Sequence, residues 1–377
     1  MIKTYCFKLY NSQRNKHLHR LINLSAGIYN HCIALHKRYY RLYGIHLKKA
    51  RLQTHITKLK KLERFKHWNN LNSQAIQEIT DRIENAYTLF FRNLKRKIKC
   101  APPSFKKRIK YKSFTLKQTG YKILDGNVVL IGKRRYKFFQ SRDIVGTVKI
   151  VTIKRNSLND LYIFFVCDIS GTDKPNRTRT GKSVGFDFGL KTYLKASDGN
   201  DIESPLFFND SQAAVKKLNR SLSRKQRGSN NRRKAKRALT KRHLKIADQR
   251  KDFQLKLVNQ LCKEYDLICL EDLHIKAMQM MWGRKISDLS HSSFVNILKQ
   301  QAVNHDVIVV EIPRFYPSSR TCSSCGVVVA ELPLKVRSWV CTACNAEHDR
   351  DFNAAVNILR VGSSTLGGVP VNPTFVG

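Results

Sequence analysis

Three carboxylates stand at the ends of apolar stretches, where they could hold metal ions. Asp187 follows the apolar residues 184–186, Glu271 ends the apolar residues 267–270, and Asp351 opens an alanine-rich stretch. Carboxylate oxygens suit Mg²⁺, and two such ions ~3.5–4 Å apart stabilise both the attacking and the leaving oxygen of a phosphodiester. These three acids therefore predict a site for two Mg²⁺ or Mn²⁺ ions that hydrolyses nucleic acid.

Two aspartates compete for the third position of this site. Asp351 shares a helical face with Ala354, Ala355 and Ile358, three, four and seven residues further on. That apolar face must pack on the sheet that carries the other two acids. We therefore assign Asp351 to the site and expect Asp349 to point elsewhere, as a helix cap.

Four clustered cysteines predict a second, separate metal site. Cys322 and Cys325 form one CxxC pair, and Cys341 and Cys344 form another fifteen residues later. This spacing closes a tetrahedral site for one Zn²⁺, which has no open position and is therefore structural. Disulfides are the alternative, but the absence of an export signal indicates a reducing cytoplasm. His348 lies nearby and is expected to support the site.

The charge of the chain indicates a polyanionic partner. Its 377 residues contain 71 Lys and Arg against 27 Asp and Glu, a net charge of +44. Nucleic acid is the partner that such a charge favours, and a membrane surface is the alternative. No apolar run reaches the ~18 residues that span a bilayer, and no signal peptide opens the chain. We expect a cytoplasmic, nucleoid-associated protein that does not bind membranes.

The first half of the chain predicts a β module with a helical module inserted into it. Residues 1–10 alternate as a strand, and residues 104–170 contain two hairpins, with turns at residues 125–126 and 159–160. Between them, residues 14–43 and 73–99 follow helical periodicity, and Ser73 is a candidate N-cap. Gln74 and Gln77 open the second helix and could contact adenine edges or phosphates, although ordinary polar helix positions are an equal alternative.

The second half predicts an α/β domain with a basic arm. Strands that carry Asp187 and Glu271 alternate with helices, and residues 213–260 predict one or two long helices broken near residues 228–231. Between positions 216 and 251 there are sixteen Lys or Arg and one acid. We expect this arm to grip a phosphate backbone. Its candidate contacts are Arg232, Arg233, Lys234 and Arg237.

Several motifs in order resemble TnpB, the OrfB protein of insertion sequences. The matching stretches are residues 246–253, 270–273, 315–326, 337–344 and 348–358, with a weaker match at residues 71–74. The chain departs from the family pattern at Phe186 and Phe188, where smaller aliphatic residues are usual, and at Asn345, where glycine commonly follows the last zinc cysteine.

The resemblance implies a multidomain fold of α/β, α and β parts. Residues 1–10 and 101–175 would be an N-terminal β-barrel wedge domain, interrupted by a helical recognition domain at 11–100. Residues 176–315 and 349–361 would be a RuvC-type, RNase H-like nuclease domain. A zinc ribbon at 316–348 would be inserted in it, and residues 362–377 would be a flexible tail.

The activity that the resemblance implies is RNA-guided cleavage of double-stranded DNA beside a short transposon-associated motif. The guide RNA would come from the transposon end, and base pairing would supply sequence specificity. The family's catalytic positions correspond to Asp187, Glu271 and Asp351, and its zinc positions to the four clustered cysteines. We expect a monomeric, metal-dependent endodeoxyribonuclease.

Three other functions are compatible with parts of this sequence. They are a nuclease-inactive, RNA-guided DNA-binding repressor, a strand-joining transposase, and a compact type V CRISPR effector with the same nuclease core. The presence of all three acids disfavours the first, and the second lacks a distinctive Tyr or Ser nucleophile constellation. The sequence does not define the target-adjacent motif, the guide or the cut pattern.

Overall fold

The computed structural model describes residues 2–117, 120–125, 127–170, 177–273, 280, 283 and 288–366, and the backbone of 374–375. It contains two compact units, Met1–Asp173 and Lys174–Gly377. Gly126 of the predicted turn at residues 125–126 lies outside the described residues. None of the described helices is long and apolar enough to cross a membrane.

The β part of the first unit consists of a four-stranded and a three-stranded antiparallel sheet. The four-stranded sheet has the order β1-β7-β6-β2. Because β1 pairs with β7 from Ile2 opposite Asp168 to Lys8 opposite Tyr162, the prediction that the first strand completes the β module is confirmed. The strands of this unit are β1 (Ile2–Lys8), β2 (Ser113–Lys117), β3 (Lys122–Leu124), β4 (Val128–Ile131), β5 (Arg134–Lys137), β6 (Thr147–Arg155) and β7 (Leu161–Asp168).

Both predicted hairpins of this unit are present. Strand β3 pairs antiparallel with β4, which in turn pairs with β5, and β6 pairs with β7. An isolated bridge between Leu9 and Phe138 joins the end of the first strand to the residue after β5. Phe7, Phe138 and Phe165 then pack against one another with ring centroids 5.3–6.1 Å apart, which closes an apolar core.

The helical part of the first unit contains more elements than the sequence predicted. Helices α1 (Asn15–Tyr43) and α3 (Ser73–Lys95) correspond to the two predicted helices, whereas α2 (Lys49–Leu59) and a 3-10 helix (Glu63–Asn70) were not predicted. The apolar residues that give α1 its predicted periodicity, such as Leu18, Ile22 and Cys32, are buried. The N-cap of α3 is Asn72 rather than Ser73, because the Asn72 carboxamide oxygen accepts the backbone N–H of Gln74 at 2.8 Å.

The second unit is built on a five-stranded mixed sheet of order β10-β9-β8-β11-β12. Strands β8, β11 and β12 are parallel, and β9 and β10 continue the sheet as antiparallel strands. The predicted α/β organisation of this half is therefore confirmed. The strands are β8 (Ser183–Phe188), β9 (Thr192–Ala196), β10 (Ile202–Glu203), β11 (Leu267–Glu271) and β12 (Ile308–Ile312).

Helices cover both faces of this sheet. Helices α5 (Asn230–Glu264) and α6 (His291–His305) pack on one face, around buried residues such as Phe186, Leu270 and Phe294. Helix α7 (Arg350–Leu366) packs on the other face, where Ile358 and Val361 meet Cys269 and Ile312. Helix α7 continues to Leu366 and so extends past residue 362, where the flexible tail was predicted to begin, but its last buried residue is Gly362.

The basic arm is a helical hairpin, as predicted. Helix α4 (Phe207–Ser223) leads into α5, and Gly228 between them has the positive φ of +87° that glycine adopts without strain. The Ser229 hydroxyl accepts the backbone N–H of Arg232 at 3.1 Å and so caps α5.

Short strands surround the cysteine pairs. Strands β14 (Ser338–Val340) and β15 (Glu347–Asp349) form an antiparallel hairpin, and β13 (Val327–Val328) pairs in parallel with the backbone of β16 (Thr374–Phe375). Trp339 on β14 packs with the buried Cys322 and Cys341 in a small core.

Candidate functional site

The register of two parallel strands places two of the predicted acids next to each other. Leu270 of β11 lies opposite Phe186 of β8, so the following residues, Glu271 at the end of β11 and Asp187 one residue before the end of β8, lie at the same level. Side chains alternate between the two faces of a strand. Asp187 therefore shares the face of Gly185, and this is the face that α7 covers.

Two glycines allow α7 to approach this face closely. A Cβ atom on Gly185 would lie 2.3 Å from the carbonyl oxygen of Ala355, and one on Gly362 would lie 2.3 Å from the sulfur of Cys269. A larger residue at either position would push the helix away from the sheet. The close packing brings the first turn of α7, with Asp351, to the ends of β8 and β11.

Asp187 interacts electrostatically with both of the other predicted acids, Glu271 and Asp351. Burial raises the pKa of Asp187 to about 8, and the negative charges of Glu271 and Asp351 add to this rise. Burial also raises the pKa of Glu271 to about 7, with a contribution from the charge of Asp272. Strongly raised carboxyl pKa values at a cleft are typical of functional sites.

A cleft of about 740 Å³ opens beside Asp187. Asp349 and Asp351 also line it, but Glu271 does not. The rest of its charged lining is basic: Lys191, Lys195, Lys335, Arg337 and Arg350. This arrangement provides carboxylates for cations together with positive charges for phosphates.

The first turn of α7 distinguishes Asp349 from Asp351. The carboxylate of Asp349 accepts the backbone N–H of Phe352 at 2.8 Å, so its predicted role as a helix cap is confirmed, but it lines the cleft rather than pointing elsewhere. Asp351 instead accepts both of its hydrogen bonds from one guanidinium nitrogen of Arg337, at 3.1 Å to each oxygen. This ion pair is half-exposed and thus easily exchanged for another cation.

The four predicted zinc cysteines meet in space. In the described part of the chain, Cys322, Cys325, Cys341 and Cys344 form the one set of three or more Cys, His, Asp or Glu residues whose ligand atoms all lie within 4.8 Å of one another. The three carboxylates do not meet that distance. Four sulfurs so arranged fit the tetrahedral thiolate chemistry of zinc.

The two cysteine turns have the same backbone design. The amides of Gly326 and Asn345 donate to the carbonyls of Cys322 and Cys341, both at 2.9 Å. Gly326 has φ +81° and Asn345 has φ +56°, so asparagine occupies the left-handed position that glycine occupies in the first turn. Asparagine tolerates this conformation better than most residues, which explains the departure from the family pattern.

Residues near the cysteines also hold the site together. His348 places its Nε2 atom 3.0 Å from the sulfur of Cys322, as expected of a supporting residue. Two fully buried asparagines on α7 were not predicted. The carboxamide nitrogens of Asn353 and Asn357 donate to the carbonyl of Thr321 at 2.8 and 2.6 Å, and thereby tie α7 to the first cysteine turn. The signal available in the sequence was a polar residue on an apolar helix face.

The predicted contacts of the basic arm divide into two groups. Arg232 donates from one guanidinium nitrogen to the carbonyls of Leu222 and Lys225, both at 2.8 Å, so it closes the hairpin. Arg233 donates to the side chain of Asn230. Lys234 and Arg237 are exposed. Only the second pair is placed to contact a partner without breaking a bond of the hairpin.

The predicted glutamines lie in the first turns of α3. Gln74 is half-buried, and its side-chain oxygen lies beside Gly120. Gln77 is exposed and lines a cleft of about 540 Å³ together with Lys58, Lys60 and Lys61. Gln77 is therefore the better placed of the two for a nucleic-acid contact.

Two family models match stretches that lie mostly in the second unit of the chain. Residues 165–281 match OrfB_IS605, described as "Probable transposase", and residues 291–358 match the Cas12f1-like TNB domain. The first match includes two of the acids, and the second includes the third acid and all four zinc cysteines.

Relatives with similar sequences carry names that agree with these models. A "Putative RNA-guided DNA endonuclease" of Streptomyces pristinaespiralis is 36% identical over 56% of this chain and 52% of its own length. The E. coli K12 protein of that name, InsQ, is 28% identical over 78% of this chain and 75% of its own length. A mimivirus "TnpB-like protein", L770, is 28% identical over 60% and 46%. The chain thus spans about half the length of the first of these relatives.

Two solved structures share the fold. Cas12f1, in its cryo-EM complex with sgRNA and target DNA, superposes over 92% of this chain and 83% of its own, with a TM-score of 0.61 and 17% identity. The mini-RNA-guided endonuclease CRISPR-Cas phi3 superposes over 100% and 94%, with a TM-score of 0.54 and 10% identity. Together with the family models, these matches confirm the predicted resemblance to TnpB.

Proposed function

We propose that this relative of TnpB is an RNA-guided, metal-dependent endonuclease that cuts double-stranded DNA. The observation that carries the proposal is the convergence of charge at Asp187, where Glu271 and Asp351 both act beside a basic cleft. The names of the relatives support the guided activity, and the fold of Cas12f1 supports the architecture.

The domain roles follow from this proposal. The five-stranded sheet with α7 would be the RuvC-type, RNase H-like core, and the cysteine region at 316–348 would be a zinc ribbon. In the first unit, the two antiparallel sheets would form the barrel-like wedge domain and the helices would form the recognition domain. The chain would act as a monomer with a guide RNA derived from a transposon end.

In the proposed chemistry, the acidic residues bind the metal ions and the basic residues bind phosphates. Asp187, Glu271 and Asp351 would hold two Mg²⁺ or Mn²⁺ ions, which supply Lewis-acid stabilisation of the attacking and leaving oxygens when bound. Lys191 and Lys195 add positive charge where phosphates must enter. Before binding a cation, Asp187 retains its proton near neutral pH, which limits the repulsion among the three acids.

A zinc ion would have a structural role beside this cleft. Four thiolates leave no open coordination position. The backbone N–H of Ala346 favours the Cys344 thiolate, but the hydrogen bonds with the other three cysteines and the loss of hydration together outweigh it and raise the pKa of Cys344 to about 12. Four thiolates therefore require a cation to remain together. Zinc would then fix the first cysteine turn, to which Asn353 and Asn357 attach α7.

Nucleic-acid contacts are assigned by exposure and charge. Lys234 and Arg237 on the basic arm would contact phosphates of the guide–target duplex. Gln77, beside three lysines, would contact the DNA next to the target. Sequence recognition would come from base pairing with the guide, as in other guided nucleases.

The test uses the protein together with its own RNA. The RNA that co-purifies with the chain is sequenced, and a DNA duplex complementary to its variable end is incubated with the complex and Mg²⁺. We expect cleavage by the wild-type chain, and retention of the same RNA without cleavage by Asp187→Ala. Stable DNA binding without cleavage by the wild type would favour a repressor, joined strands would favour a transposase, and full cleavage by Asp187→Ala would refute the site.

A further inference from the structure

Gly27 has no conformational or packing reason to be glycine. It lies in the middle of α1, where glycine destabilises a helix by about 1 kcal/mol relative to alanine. A Cβ atom at this position would meet nothing within 4 Å apart from the backbone of α1 itself, and the φ of Gly27 lies outside the left-handed range. This differs from Gly185, whose Cβ would collide with the backbone of α7. The space beside Gly27 is thus open rather than filled by the protein.

The open space is part of a cavity of about 700 Å³ between α1 and the 3-10 helix. Leu21, Leu24, Phe65 and Trp68 line its apolar side, beside Gly27. Trp68 is buried, and its ring meets that of Phe65 edge-on at 4.9 Å between centroids. Cavities of this size, with apolar walls and a few polar groups, are typical of small-ligand sites.

Positive charge surrounds this apolar floor. Arg20, Arg64, Arg108 and Arg134 line the cavity, and no aspartate or glutamate does. In the part of the chain that the structure describes, none of the four pairs with a carboxylate. Burial, followed by the charges of Arg134 and Arg20, lowers the pKa of His17 at the same wall. Four uncompensated guanidinium groups in a concavity favour a phosphate.

We propose that this cavity binds one unstacked nucleotide of a single-stranded RNA, with its base over Gly27 and its phosphates among the arginines. The inference rests on the proposed function, in which the chain carries a guide RNA. Bases of duplex DNA stay stacked in the helix, whereas RNA loops and bulges present single bases that proteins stack on aromatic side chains. A Cβ at position 27 would intrude where the base lies, which accounts for the glycine.

The decisive variant fills the cavity without disturbing a protein contact. Gly27→Met adds a side chain at a position that lines the cavity and where a Cβ atom would be free of contacts outside the helix backbone, and it raises helix propensity. We expect it to bind a fluorescent, mixed-sequence, single-stranded RNA of about twenty nucleotides about tenfold more weakly in an anisotropy titration. Its melting temperature should equal or exceed that of the wild type. Gly27→Ala should show a smaller change in the same direction.

Charge removal provides the matched comparison. Arg64→Ala, inside the cavity, should weaken binding of the single-stranded RNA more than Arg41→Ala, which removes an equal charge from an exposed position of α1 outside the cavity. A blunt RNA duplex should bind the wild type and Gly27→Met equally, because it offers no unstacked base.

Three outcomes would overturn the proposal. They are unchanged single-stranded RNA affinity in Gly27→Met, equal weakening for the duplex, and saturable binding of uridine 5′-monophosphate that Gly27→Met abolishes while RNA binding persists. The last would assign the cavity to a free nucleotide. These RNA-binding measurements do not depend on DNA cleavage. If the chain shows the selective RNA effect but does not cut DNA, the proposed function is refuted and this site is retained.

Discussion

The cysteine cluster and the carboxylate cleft lie in the same unit, but they differ in how closely their ligand atoms are held together. The four sulfurs lie within 4.8 Å of one another, held by two turns of matching design. The three acids stand on β8, β11 and α7, which pack closely against one another. Their ligand atoms nevertheless do not all lie within 4.8 Å of one another. One of them, Asp351, is paired with Arg337 instead.

This difference reflects what each metal requires. Zinc with four thiolates is closed, so the backbone can fix every ligand in advance. Mg²⁺ keeps several waters and binds substrate phosphates, so its protein ligands need less mutual closeness. The asparagines of α7 join the two sites, because they tie the helix that carries Asp351 to the first cysteine turn. The cysteine site is therefore expected to position the cleft.

Removing the zinc ligands is the strongest way to break this arrangement. Structural zinc contributes an apparent ~10–16 kcal/mol in small zinc domains. We expect Cys322→Ser/Cys325→Ser to lose bound zinc, to lose hydrogen-exchange protection around residues 316–349, and to lose DNA cleavage because α7 is no longer anchored. Zinc content, exchange mass spectrometry and cleavage measure the three effects.

Cys100→Ser is the matched control, because that cysteine lies in the first unit, outside the cluster. It should retain zinc and activity. A double mutant of the cluster that remains ordered and cuts DNA at the wild-type rate would separate the two sites and contradict the structural role.

The two aspartates of the first turn of α7 test the carboxylate site next. Asp351→Asn removes a proposed metal ligand, and a loss of about 4 kcal/mol of transition-state stabilisation corresponds to a cleavage rate on the order of 10³-fold lower. Asp349→Asn removes an equal charge from the same cleft, but asparagine still caps a helix, so we expect less than a tenfold change. Single-turnover cleavage rates measure both. Equal losses would show that charge in the cleft, rather than ligand position, governs the rate.

The raised carboxyl pKa values make a prediction about pH. Asp187, with a pKa of about 8, and Glu271, with a pKa of about 7, keep protons in the folded state that they lose above pH ~4 when unfolded. The folded state therefore binds more protons between pH 4 and 8, and these groups lower the free energy of unfolding as the pH rises through that window.

Melting temperatures in magnesium-free buffer, from pH 5 to pH 8.5, test this sign. We expect Asp187→Asn to be increasingly more stable than the wild type as the pH rises, since the amide cannot ionise. Added Mg²⁺ should stabilise the wild type more at pH 8 than at pH 6, because cations compete with protons for these acids. A stability difference that does not depend on pH would show that Asp187 ionises normally.

Both sites could be proposed from the sequence because their residues sit at the ends of regular elements or at a regular spacing. The apolar runs before Asp187 and Glu271 predicted strands, and the CxxC spacing predicted a cluster. The choice of Asp351 over Asp349 followed from helical periodicity, and the cap seen at Asp349 agrees with it. Short-range pattern was sufficient for each of these predictions.

Features that depend on distant contacts were not predictable in this way. Asn353 and Asn357 are buried because they meet a loop more than thirty residues away in sequence. Arg232 appeared to be a nucleic-acid contact but closes its own hairpin. At 11 and 8 residues, α2 and the 3-10 helix are too short to be stable alone and depend on tertiary contacts, which local propensity does not report. Gly27 is informative only once the empty space beside it is known.

The smallest predicted effect concerns the second cysteine turn. Asn345 has φ +56°, a conformation that costs asparagine less than other residues but costs glycine nothing. Asn345→Gly should therefore raise the melting temperature slightly or leave it unchanged, corresponding to less than about 1 kcal/mol, with zinc content unaltered. Asn345→Val, which is β-branched, should instead destabilise the turn and weaken zinc retention in a chelator competition. If valine is tolerated as well as glycine, the turn does not hold its sulfurs rigidly, and the contrast with the carboxylate cleft would lose its basis.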